Sequence, residues 1–147
     1  GSISKLIHVA LRTGLPVAPV GGVNIVDVDD VVSTLIAGMH YGKDGDRFLA
    51  VGHNIKTRQL MDTICGLLEK PKTRFSLPHN ATSRLAMLLK LWCSLGLPGQ
   101  PPFQALAVSG TNMYYNDDWT RDRLKLSEPT PLHQTLQRRI DWERSQP

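Results

Sequence analysis

Val23-Asn24-Ile25-Val26-Asp27-Val28 is a β-branched run of strand type, and from Val31 onward the apolar residues recur with helical spacing instead. The stripe Val31, Val32, Leu35, Ile36 and Met39 makes the second element an amphipathic helix. Asp29 or Asp30 stands where a carboxylate accepts hydrogen bonds from the free N–H groups of a first turn. A strand that turns directly into a helix belongs to layered α/β architectures, not to bundles or sandwiches.

The rest of the chain repeats the alternation. Ile3, Leu6, Ile7, Ala10 and Leu11 predict a helix over 2–13, broken by Gly14, Pro16 and Pro19. Arg47 to Val51 reads as a short apolar strand stopped by Gly52, and a helix follows from about Lys56 to Glu69. A strand over 72–77 and a strongly apolar helix over 81–95 come next, the latter with Leu85, Leu88, Leu89, Trp92 and Leu95. Such a helix is buried on more than one side, or lies against a domain outside this sequence. Residues 96–102 form a Pro- and Gly-rich connector. A polar helix is expected over 118–126, and a last one begins at Pro131, with Leu132, Leu136 and Ile140 four apart.

At 147 residues the chain has the size of a single domain, with strands and helices of the core over 1–70 and a helical lobe and tail over 71–147. The formal charge of +4 raises the question of a nucleic-acid or membrane partner. Lys and Arg are scattered along the chain, so neither partner is expected. No window approaches the roughly 20 apolar residues of a membrane span. Cys65 and Cys93 sit in apolar helical stretches without metal-ligand spacing, which suits core thiols in a reducing cytoplasm. No metal site is expected.

A dinucleotide site needs a Gly-rich turn between a strand and a helix, so that the backbone can approach the pyrophosphate. Gly21-Gly22 precedes a strand instead, so no cofactor-binding residue is assigned. Asn24 is the one polar group at the start of an apolar strand, and it suits either backbone bonding or a substrate contact. Asp27 points to the opposite side and is expected to be exposed or paired.

GGVNIVDVDDVV at 21–32, followed by GDRFLAVGHNIKTRQLMDTI at 45–64, resembles the extended short-chain dehydrogenases/reductases, in particular their dihydroflavonol-reductase-like and epimerase/dehydratase members. The resemblance runs over about 2–70 and resumes more loosely at 114–124 and 129–142. It implies the C-terminal portion of a Rossmann-type α/β enzyme, with the smaller substrate-binding lobe and without the Rossmann half. That half would carry the glycine fingerprint and a catalytic Tyr-x-x-x-Lys pair. Neither transfers here, since Gly45, Asp118 and Trp119 follow Tyr41, Tyr114 and Tyr115 at the Lys position. The strand at Phe48–Val51 would complete the Rossmann sheet, and Asn24 matches a position that faces substrate in flavonoid reductases.

The resemblance thus implies the substrate-binding half of an oxidoreductase using NAD or NADP on a carbonyl or alcohol, silent without its Rossmann partner. A nucleotide-sugar epimerase or dehydratase half is the alternative, disfavoured by Gly22-Val23 where that branch has an Arg-Asp type pair. A non-catalytic binding module derived from the fold is a third reading. A homo-oligomer is compatible with each.

Overall fold

The computed structural model describes residues 2–94 and 111–145, leaving aside the side chains of Ser2, Lys5, Ala86, Leu89 and Cys93. The elements are α1 (Ser2–Thr13), β1 (Val17–Pro19), β2 (Gly22–Ile25), α2 (Val28–Tyr41), β3 (His53–Lys56), α3 (Thr57–Leu67), β4 (Phe75–Leu77), α4 (His79–Ser94), α5 (Asp118–Leu124) and α6 (Leu132–Ser145). The expected connector over 96–102 and the position of Leu95 lie outside the described residues. Two compact units interleave in sequence, each drawing on stretches from both sides of residue 70: 1–23 with 56–113, and 24–55 with 114–147. The chain passes from the first to the second within β2 and returns within β3, and these two strands pair.

In the first unit α1 and β1 pack on α3. Ile7 and Ala10 of α1, Ala18 of β1, and Leu60, Met61, Ile64 and Cys65 of α3 are buried together with Leu68. The i, i+3, i+4 spacing visible in the sequence places them on one face of each helix. β1 and β4 form a parallel pair in the register Val17↔Phe75, Ala18↔Ser76, Pro19↔Leu77. β1 went unforeseen, because three residues between Gly14-Leu15-Pro16 and Gly21 carry no period, and only the ladder with β4 makes them a strand. Arg58 of α3 donates to the Ser76 hydroxyl at 3.0 Å, and Asp62 accepts from the Thr73 N–H at 2.9 Å, so α3 holds the approach to β4.

The face of α4 is not covered among the described residues: Met87 is 76% exposed, Leu88 64% and Leu91 55%. Among these residues no helix is long and apolar enough to cross a membrane.

In the second unit the core is Ile25, Val51, Leu124, Leu136 and Ile140, with buried Thr34 and Thr120. Two expectations are corrected here. The strand from Val23 ends at Ile25, because Asp27 turns out to be the N-cap of α2, its Oδ1 accepting from the Asp29 N–H at 3.0 Å. Asp29 and Asp30 occupy the first turn, where their charge faces the positive end of the helix. Arg47–Val51 forms no strand, and the strand of this region is β3, two residues further on. A strand exists only by virtue of a ladder partner, and a sequence run does not disclose whether the partner is present.

Candidate functional site

Asn24 anchors a chain of amide contacts inside the second unit. Its Oδ1 accepts from the Gly52 N–H at 3.2 Å, and its Nδ2 donates to Asn54 Oδ1 at 2.9 Å. Asn54 in turn grips the backbone of Tyr115 from both sides, donating to its carbonyl at 2.7 Å and accepting from its N–H at 3.1 Å. A side-chain amide with one donor and one acceptor side by side copies the pairing edge of a strand. The segment at Tyr115 is thereby fixed by side-chain bonds, and the rings of Tyr114 and Tyr115 are half-exposed.

Gly52 is required at this junction. A Cβ there would lie 2.1 Å from the Ile25 carbonyl oxygen and 2.7 Å from Val26 Cα, so the two segments approach at a distance that only glycine permits. Asn24 and Gly52 therefore act as one joint. Asn24 was singled out in the sequence as a polar group on an apolar strand. Asn54 was missed, since an exposed amide on a four-residue strand gives no periodic signal.

Asp27 is buried, and its second oxygen accepts from Thr135 Oγ1 and from Arg138 Nη2, both at 2.7 Å. It is thus paired, one of the two outcomes expected for it. Burial pushes its carboxyl up, but the Thr135 hydroxyl, the Asp29 N–H and the Arg138 guanidinium together outweigh this and hold it below the usual carboxylate range. Arg138 also reaches Asp29 at 2.5 Å, and Asp30 receives both the Thr130 N–H and the Thr130 hydroxyl at 2.9 Å. His53 donates from Nε2 to the Thr130 carbonyl at 2.8 Å. Three acids at the start of α2 thus fasten α6 and the segment before it.

This arrangement decides against one use of α2. The pyrophosphate of a dinucleotide binds a helix N-terminus whose N–H groups are free and whose field is positive. Here Asp27 already fills that place, with Asp29 and Asp30 beside it. The residues at this strand-to-helix junction do not fit the group.

Beside it lies an unfinished surface. Leu49 donates its N–H to Thr120 Oγ1 at 3.2 Å, and the Val51 carbonyl accepts from Arg121 at 2.9 Å. Phe48 and Ala50, which flank and separate these two anchored residues, belong to no strand. The Phe48 ring stacks on Trp119 at 5.6 Å and lies 3.5 Å from where a Cβ at Gly38 would stand. On α2, Val28, Val32, Leu35, Ile36 and Met39 form an exposed apolar stripe, Leu35 at 64% and Met39 at 86%. Leu35, Met39, Phe48 and Ala50 share the lining of one open hollow.

No protein-family model matches the chain, and no curated protein matches it. Solved structures do. The protein gox2253 aligns with 98% of this chain at 22% identity and a TM-score of 0.77. A nucleoside-diphosphate-sugar epimerase from Pseudomonas aeruginosa aligns with 96% at 23% identity and 0.74. A dTDP-glucose 4,6-dehydratase from Bacillus anthracis, solved in complex with NAD, aligns with 95% at 15% identity and 0.62. The chain spans 44%, 41% and 38% of the length of these three. At these identities the likeness is one of fold: the chain folds like a part of each of these three structures.

Proposed function

We propose that this chain is the substrate-binding part of an NAD(P)-dependent oxidoreductase acting on a carbonyl or alcohol, and that it works only against a Rossmann half supplied by the remainder of the protein. The observation that carries the reading is the unfinished surface of the second unit. A segment from Leu49 to Val51 that is held by α5 and paired with no strand among the described residues, next to an apolar stripe on α2, suits the end of a larger sheet. Leaving that stripe wet forgoes roughly 25 cal/mol for each Å² not buried. Cofactor and proton-transfer groups then belong to the other half, and this part closes over the substrate and keeps water out.

Asn24 enters the proposal as a substrate contact. Its two intramolecular bonds use one of its two amide protons and one of two acceptor positions, leaving one of each for a hydroxyl or carbonyl. Titration of the full-length protein with NADH and NADPH, followed by turnover on a panel of aldehydes, ketones and secondary alcohols, tests the reading. Binding of a cofactor with reduction of at least one carbonyl class is expected. Failure to bind either cofactor refutes it.

A nucleotide-sugar substrate is the second reading, favoured by the likeness in fold to a nucleoside-diphosphate-sugar epimerase and a dTDP-glucose 4,6-dehydratase. Gly22-Val23 at the entry to β2 offers no cation for a diphosphate. Protection of the full-length protein against thermal unfolding by a nucleoside-diphosphate sugar, and not by simple carbonyls, would select it.

A further inference from the structure

The cations are spread evenly over the two units, but the acids are divided sharply between them. The first holds nine Lys and Arg against two acids, Asp62 and Glu69; the second holds eight against eleven. No acidic residue occurs between Glu69 and Asp117, while Lys70, Lys72, Arg74, Arg84 and Lys90 all fall in that stretch. The same stretch contains α4, whose outer face is apolar: Met87, Leu88 and Leu91 are exposed, and with Arg84, Lys90 and Ser94 they line one open hollow. Arg84 lies three and four residues before Met87 and Leu88, on the same side of the helix.

From this we infer that the α4 face is a peripheral membrane-binding surface that selects anionic lipid. A helix lying in a lipid interface needs Leu and Met to enter the acyl boundary and Lys or Arg to meet headgroup phosphates, without acids to repel them. α4 meets each of these requirements. Arg84 sits beside the apolar patch, and α4 carries no carboxylate to oppose an anionic surface. A second copy packed α4 against α4 would set Arg84 and Lys90 near like charges. Nucleic acid needs the cations and has no use for the leucines and methionine. Such surface attachment requires no spanning helix, so it is compatible with the absence of one among the described residues.

The test is flotation of the full-length protein with vesicles of phosphatidylcholine alone and of phosphatidylcholine with phosphatidylglycerol. Binding to the anionic vesicles only, weakening as salt rises, is expected. Arg84→Gln with Lys90→Gln should weaken it about 25-fold, about fivefold for each cation. Met87→Asn with Leu91→Asn should abolish it with the circular-dichroism melt unchanged, since neither side chain belongs to the buried core. Absence of binding to anionic vesicles overturns the inference and indicates that protein covers the face. Binding lost with the cations but indifferent to the Asn pair overturns it in favour of an anionic polymer.

Discussion

Asn24→Ala separates the structural from the substrate-facing role of the amide. The substitution removes the acceptor of the Gly52 N–H and the donor to Asn54, two neutral hydrogen bonds at 3.2 and 2.9 Å. Each is worth about 0.5–1.5 kcal/mol net, so the joint should lose about 1–3 kcal/mol, toward the lower end because the Asn54 contact is open to solvent. Asn24→Asp keeps an acceptor for Gly52 but turns a second oxygen toward Asn54 Oδ1, which cannot rotate away without releasing Tyr115. It should therefore be no more stable than the Ala variant. Urea unfolding of the full-length protein gives the stability change, and steady-state kinetics on the folded fraction gives the specificity constant. A stability loss with the specificity constant also down by an amount worth about 1–3 kcal/mol supports both roles. A stability loss alone leaves only the joint. If Asn24→Ala unfolds like the wild type, the amide chain from Gly52 to Tyr115 contributes nothing and the reasoning fails.

Gly52→Ala should destabilise by about 3 kcal/mol, since its Cβ would meet backbone atoms of Ile25 and Val26 that no rotamer change can clear; a melt unchanged from the wild type would refute the close approach. Asp27 is held below its usual range in the folded chain, so the unfolded chain takes up its proton first as pH falls. Its contribution is complete above the unfolded value near 3.8 and is lost as pH drops through the lower folded value, so the slope of stability below pH 4 should flatten in Asp27→Asn. At neutral pH the same variant should cost about 1–3 kcal/mol, measured by urea unfolding, because a buried acceptor of three donors is lost.

How much of this was legible follows from what each feature leaves in the sequence. α1, α3 and α6 were readable because burial of one helical face writes a 3.6-residue period, and Ile7, Ala10, Leu60, Ile64, Leu136 and Ile140 are that face. The same period named the α2 stripe but not its state, since an exposed stripe and a buried one look alike in sequence. The end of β2 was misplaced by three residues because Val26-Asp27-Val28 continues the strand alternation, while Asp27 has a stronger use as a cap with Thr135 and Arg138 behind it. Those partners are more than a hundred residues away, and no local pattern announces them.

Polar joints were the least visible layer, and for one physical reason. Asn24, Asn54 and Thr120 each bond a backbone group with a side chain, and these bonds fix the chain at Gly52, Tyr115 and Leu49. The device suits a surface that has to stay open. Thr120 and Arg121 satisfy Leu49 and Val51 without adding a strand that would run on past them, and among the described residues no strand pairs with this segment. A helix satisfying the segment point by point and an apolar stripe beside it are thus two parts of one requirement. The segment must already be ordered before the rest of a sheet arrives, because ordering it afterwards would cost about 1–2 kcal/mol for each residue fixed.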